Sequence, residues 1–317
     1  LYPESYAASS PRPATPTSIS RAVGTVGREQ LEQGLDGLRT LVNDPAAGIH
    51  GPGSKNWEID REAILFLGGG RAALLQLAHP FVGHGIDDHS TTRTDPQERF
   101  IRTFENIWAM VFGPLDEALE SARRVHAVHS RINGIIDEEV GRFAAGTPYS
   151  AADPAALLWV YATLVDSALL VYELMVRRLS LAEKEQYYQG SKRFAHLFGI
   201  SQDIVPRRWG DFVTYLAQMY ASDTVRVGSR ARETARFLLT PPHPLLTPAA
   251  YWYRAITARL LPPAIRIQFG LRYGRFEKLL AWASLPALKQ ILRILPSQLR
   301  HLPVYRRALA RSHEAAA

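Results

Sequence analysis

Five of the ten histidines in this 317-residue chain, His79, His84, His89, His126 and His129, fall within about fifty residues of one another. Imidazole serves as metal ligand and as acid or base near neutral pH, so this stretch holds the first candidates for chemistry. His79, His84 and His89 follow at five-residue steps, each a turn of about 140° on a helix, and Pro80, Gly83 and Gly85 interrupt them. They do not make the one-face pair of an H-x-x-x-H metal motif; their expected role is to cap and hydrogen-bond a turn. In SARRVHAVHSRINGIIDEE, by contrast, a three-residue step sets His126 and His129 about 60° apart on adjoining parts of one helix surface. Val125, Val128 and Ile132 are expected to make that helix amphipathic, so that one imidazole faces the core and the other its boundary. A core-facing histidine is commonly a satisfied structural residue. A single neutral imidazole projecting into an apolar cavity is also what holds a haem iron.

A second constellation lies in DPQERFIRTF, where Arg99, Arg102 and Thr103 occupy i, i+3 and i+4 of a predicted helix. Two guanidiniums alone read as a solvated basic face. With a hydroxyl beside them they could hold a propionate or polarise bound oxygen in a closed pocket. A third feature is EAILFLGGGRAALLQLAHP. Gly68, Gly70 and Ala73 fit the G-x-G-x-x-G/A dinucleotide fingerprint, with Asp87 and Asp88 near the offset of its ribose-binding acid.

These residues need elements to position them, and the elements are helices. Leu31, Leu35, Leu38 and Val42 recur at helical spacing, and NDPAAGIHGPGS then breaks the chain. Asp95, Pro96 and Glu98 open a helix as N-cap, first position and capping-box partner. Similar starts stand at Pro114, at Ser150 with Asp153, at Ser180 with Glu183, and at Thr247 with Pro248. DPAALLWVYATLVDSALLVYELMVRRL is apolar around its whole circumference and reads as a central core helix, inside which Thr163 and Asp166 are polar; Asp166 must have a partner. LAEKEQYYQGSKRFAHLFG follows as an amphipathic helix with Gly199 as its C-cap. Strand patterns and repeats are scarce, which predicts one all-α domain of roughly ten helices over residues 26–317, behind a Pro- and Ser-rich disordered arm over residues 1–25.

Helix upon helix leaves no βαβ unit for a nucleotide cradle. The glycines are then expected within a helix, where each costs about 1 kcal/mol relative to Ala. Such a cost suits close approach of a crossing helix or a flat macrocycle to the backbone at Gly68, Gly69 and Gly70. Arg71 follows them as a candidate propionate partner, or else as a surface arginine.

Composition narrows the classes. At 46% hydrophobic and 21% charged, the chain has the makeup of a soluble globular protein. No apolar run is expected to reach the roughly 20 residues of a membrane span, and no leader pattern is present, which points to the cytoplasm. A net charge of +7 favours anionic partners. With no cysteine, thiolate ligands and cysteine nucleophiles are excluded.

Several blocks in order carry a resemblance: REAILFLGGGRAALLQLAHPFVGHGIDDHS, RFIRTF, AMVFGPLDEALESARRVHAVHSRING, the long apolar helix with its successor, and LPPAIRIQFGLRYG. From about Trp57 to about residue 300 the chain resembles the MpaB-type oxygenases and rubber oxygenase (latex-clearing protein), most closely their short bacterial members. The resemblance implies an all-helical, globin-like domain holding haem b through one histidine, with dioxygen as co-substrate. The family's ligand histidine closes an R-x-x-x-x-H helix, which here points to His129. Arg99, Arg102 and Thr103 match its distal Arg-x-x-Lys/Arg-Thr pattern, Arg102 standing where rubber oxygenase has lysine. Position 126, often arginine in relatives, is histidine here, so either His126 or His129 could bind iron. The distal glutamate of rubber oxygenase has no counterpart identified in this chain, and cleavage of polyisoprene is not implied.

The expectation is therefore a haem b-dependent oxygenase acting on a largely apolar small molecule. His129 is expected as metal ligand, His126, Arg71 and Gly69 as cofactor contacts, and Arg99, Arg102 and Thr103 as catalytic residues. A haem-binding carrier or sensor without turnover would use the same pocket. Contact with an anionic membrane surface is expected through LKQILRILPSQLRHLPVYRRALARS, using Leu292, Leu295, Leu299 and Leu302 with Arg293, Arg300, Arg306 and Arg307. Nucleic acid is not expected as a partner, because the basic residues are scattered and no binding motif accompanies them.

Overall fold

The helix signals in the sequence are realised in a computed structural model, which describes residues 24–89, 96–241 and 243–316, with side chains from 89 to 103 and from 315 to 317 outside the description. The expected arm, apart from its last two residues, lies outside the described residues, as does Asp95. The chain is 68% helical and all-α. In order run α1 (Arg28–Leu41), α2 (Lys55–Asp60), a 3-10 segment (Ala63–Gly68), α3 (Gly69–Leu77), α4 (Pro80–His89), α5 (Pro96–Phe112) and α6 (Leu115–His129). A two-stranded hairpin, β1 (Asn133–Ile135) with β2 (Pro148–Ser150), precedes α7 (Pro154–Met175), α8 (Leu181–His196), α9 (Trp209–Ala221) and α10 (Ser229–Leu238). A 3-10 turn leads into α11 (Thr247–Leu260), α12 (Pro263–Gln268), α13 (Arg275–Ile294), α14 (Ser297–Arg300) and α15 (Pro303–Ala316).

The starts follow the local chemistry. Asp153 accepts from the Ala156 amide at 2.9 Å with Pro154 at the first turn, and Ser180 and Glu183 cap each other's backbone amides as a full capping box. Ser150 instead ends β2. Gly199 lies three residues beyond the end of α8 at φ +64°, where a Cβ would stand 2.6 Å from Val26.

The long apolar helix α7 is the hub. One side packs into the main core with Leu35, Leu75, Leu119 and Phe212, and another forms a second cluster with Leu67, Ile256, Ala281 and Leu285. By length and hydropathy this helix could cross a membrane, contrary to the expectation from the sequence, yet 72% of its most apolar 18-residue stretch is buried within the fold, the situation of a core helix. Its polar groups are satisfied from neighbouring helices. Trp159 donates to the Leu75 carbonyl at 2.8 Å, Tyr161 meets Ser191 at 2.7 Å, and Gln76 donates to Thr163 at 3.2 Å. Asp166 has the partner its burial demanded: Arg71.

The basic C-terminal part does not form a single leucine-faced helix. Leu292 and Leu302 are buried, Leu299 is exposed, and three helices divide the segment. Arg300 makes a two-pronged bond to the buried Glu62 at 2.6 and 2.8 Å, tying α14 to the turn ahead of the 3-10 segment.

Candidate functional site

Helix α6 presents Leu115, Ala118, Leu119, Ser121 and Ala122 to the core. At about 100° per residue, the seven residues from Ala122 bring His129 back to within about 20° of that stripe, with His126 about 60° to one side. The two imidazoles accordingly do different things. His126 donates from Nε2 to the Val26 carbonyl at 2.9 Å, which ties α6 to the strand of chain entering α1. His129 is half-buried and stacks on Phe198, ring centroids 6.5 Å apart and planes 26° from parallel. Its ring forms no hydrogen bond among the described residues. Burial, and then the neighbouring His126, hold its pKa down to about 4, so the ring is neutral at physiological pH. A neutral imidazole with a nitrogen lone pair unused among the described residues is a donor of the kind that could hold a haem iron. Val128 is 57% exposed and lies outside the apolar stripe expected of it.

The hairpin of α5 and α6 sets which backbone levels of the two helices stand side by side. Ser121 donates to the Asn106 side-chain oxygen at 2.9 Å, which fixes the antiparallel register. His129 lies eight residues beyond Ser121, level with positions 98 and 99, eight and seven residues before Asn106 on α5. Arg99 stands at that level, with Arg102 and Thr103 one turn further along α5. Their backbone is helical; their side chains lie outside the described residues.

Arg71 is a buried residue and not a surface arginine, with 2% of its area exposed. Its Nη2 reaches Asp166 at 2.5 Å and Tyr220 at 3.1 Å, Nη1 donates to Ser167 at 2.7 Å, and Nε donates to the Leu260 carbonyl at 2.9 Å. All three nitrogens are thus directed at α7, α9 and the end of α11. Arg71 thereby ties α3 to three other helices.

The glycines explain themselves in the same region. Gly68 closes the 3-10 segment, and Gly69 and Gly70 open α3, so no strand precedes them and the nucleotide cradle is absent. A Cβ on Gly68 would stand 2.9 Å from Val171, and one on Gly70 would stand 2.4 Å from the Thr257 hydroxyl. Gly69 backs onto Tyr253, whose hydroxyl accepts from the Gly70 amide at 2.7 Å and donates to the Phe66 carbonyl at 3.1 Å. The backbone is bare because α7 and α11 cross it there, the crossing-helix alternative for the triplet.

His79 and His84 have the turn-binding roles expected of them. His79 accepts the Phe81 amide on Nδ1 at 3.3 Å, and His84 donates from Nδ1 to the Pro80 carbonyl at 3.0 Å and meets Asp137 at 3.1 Å. The His89 side chain lies outside the described residues. Sequence reasoning missed three contributors. Phe198 carried a weak signal, standing beside the helix-ending Gly199. Tyr253 carried none. Arg230, which joins Asp87, Asp88 and Asp137 at 2.5 to 3.1 Å, shows instead why those aspartates are not ribose ligands. A groove of about 540 Å³ passes His126 and the Arg123–Glu32 ion pair, and His129 is not among the residues that line it. Among the described residues no three His, Asp or Glu side chains converge on a metal position.

Residues 57–290 match the family described as ER-bound oxygenase mpaB/B'/rubber oxygenase, catalytic domain. Neither the curated proteins nor the solved structures gave a match.

Proposed function

We propose, for a chain that belongs to the mpaB/rubber oxygenase catalytic-domain family, that it is a haem b-dependent oxygenase using dioxygen on a largely apolar small molecule, with His129 as the iron ligand. The observation that carries this reading is the contrast within α6. His126 is bound to the Val26 carbonyl, whereas His129 is neutral, core-directed and stacked on Phe198 without a hydrogen bond among the described residues. When bound, haem supplies the redox chemistry of oxygen activation. The protein's part is to hold the group and order its surroundings. Phe198 fixes the plane of the His129 ring. Arg99, level with His129 on α5, and Arg102, one turn further along, anchor a propionate or position oxygen, with Thr103 as the neighbouring hydroxyl. Arg71 supports the pocket from behind, by clamping α3 to α7 and α11, instead of touching the cofactor, and Gly69 does so by letting α11 approach.

The absorption spectrum of protein purified from a haem-supplemented culture tests this directly. A Soret band is expected that His129→Ala abolishes or shifts and that His126→Ala leaves in place. Full haem occupancy with an unaltered spectrum in His129→Ala overturns the ligand assignment. Arg102→Leu is expected to keep the Soret band and lower oxygen consumption with an apolar substrate by about a hundredfold, the loss typical of one preorganised charge-stabilising donor. A stable oxygen complex, with no product from any member of a panel of apolar compounds, would favour the carrier or sensor over the oxygenase.

A further inference from the structure

The inner side of α13 is used in the ordinary way: Glu277, Ala281, Leu285 and Leu292 are buried, with Leu288 packed beside them. Its outer side is apolar as well. Phe276 is 62% exposed, Leu279 59%, Trp282 72% and Ile294 82%, and Ala283, Pro286 and Ala287 fill the spaces between them. At the Phe276 end the strip continues through Tyr251, whose ring lies 5.9 Å from that of Phe276. A soluble surface scatters single apolar residues, but a contiguous strip of aromatic and branched side chains along a helix about 30 Å long marks a covered face.

The charge around the strip says what covers it. Residues 244–313 carry twelve Lys and Arg and one acidic residue, Glu277, a surplus of eleven that exceeds the +7 of the whole chain. Arg275, Lys278 and Arg293 flank the strip, and none of them forms an ion pair among the described residues. A shallow groove of about 460 Å³ opens into it, with Arg259, Tyr273 and Lys278 as its polar lining and Leu279 and Trp282 as its apolar lining. Arg259 donates to the Tyr273 hydroxyl at 3.3 Å and Arg266 lies 4.9 Å from the Tyr273 ring, so two further guanidiniums are gathered there. Two copies joined face to face would set these cations against each other. A lipid phosphate satisfies the groove's cations while its acyl chain covers Leu279 and Trp282.

We propose that the outer face of α13, with this groove, seats the protein on a bilayer rich in anionic phospholipid. Trp282 and Phe276 enter the interfacial layer and the flanking cations meet headgroups. The surface is separate from the His129 region, and binding through it does not require haem.

Co-sedimentation of the full chain with phosphatidylcholine vesicles, with and without phosphatidylglycerol, tests the proposal. Binding is expected only with the anionic lipid, and it should weaken as salt rises. Leu279→Ser with Trp282→Ser, and separately Lys278→Glu with Arg293→Glu, should each lower partitioning by about tenfold or more, with circular dichroism showing that both variants stay folded. The proposal fails if the chain does not sediment, if neutral vesicles bind it equally well, or if both variants bind as the parent does. It also fails if light scattering finds a dimer that Trp282→Ser converts to monomer, since the strip is then covered by a second copy.

Discussion

At the scale of single residues, each ionisable group is given its role by what surrounds it. Arg71 and Asp166 neutralise each other inside the fold, and each would be left as an uncompensated buried charge without the other. Arg71→Ala is expected to cost about 3–5 kcal/mol, while Arg71→Met with Asp166→Leu restores most of that loss; urea midpoints of the three proteins check it. His126 and His129 make the same point in one helix. Because burial holds His129 to about 4, it stays deprotonated far below the ordinary histidine value near 6.5. Haem uptake is therefore expected to be constant from pH 8 to about 5 and to fall only towards pH 4. Soret amplitude followed alongside far-UV circular dichroism separates this from acid unfolding. A midpoint near 6.5 in still-folded protein would contradict it.

At the scale of elements, the close crossing of α3 by α11 depends on what is missing at Gly70. Adding a methyl group there brings it to 2.4 Å from the Thr257 hydroxyl oxygen, a buried atom with no hydrogen-bond partner among the described residues. Gly70→Ala is expected to destabilise by about 1–3 kcal/mol through overpacking, and Thr257→Ala in the same chain to relieve part of it. Gly210, in the first turn of α9, has open space where a Cβ would point. There the same change should stabilise by about 0.5–1 kcal/mol, because Ala loses less backbone entropy in a helix. Thermal unfolding of the two variants should therefore move in opposite directions. A rise for both would mean that α3 and α11 are not packed as closely as described. The GGG run was legible in sequence as helical backbone open to close approach, and Ser180 with Glu183 as a helix start; the identity of the crossing helix was not, because it lies nearly two hundred residues further along the chain.

At the scale of the whole molecule, buried titratable groups set how the fold responds to acid. His50 and His79 are 5% and 2% exposed, and burial lowers both to about 3. An unfolded histidine takes up a proton near pH 6.5, so between about 6.5 and 3 the unfolded chain binds protons that the native one does not, and stability is lost as pH falls. Asp60 runs the other way. Burial raises it to about 7 despite the bond from Tyr187, so its contribution is present below about 4 and is lost as pH rises through 7. With His129 also held neutral, three histidines against one carboxyl leave stability rising with pH from about 4 to 6.5. Urea midpoints across that interval measure it, and a flat profile contradicts the neutral burial of His50 and His79.

The sequence by itself determined the all-α class, the central α7, the helix starts at Asp153 and Ser180, the need of Asp166 for a partner and the family. These rest on periodicity and on contacts three or four residues apart, which the order of residues specifies directly. Tertiary structure alone decided that Arg71 is that partner, that Phe198 meets His129, that His126 is taken by Val26, and that the glycines serve crossing helices. It also moved the exposed apolar strip from the C-terminal leucines to the outer face of α13. The physical reason is common to all five. A helix pattern says which side chains share a face, but what that face meets is fixed by how distant helices pack. An apolar stripe or a buried charge therefore reads the same in sequence whatever comes to cover it.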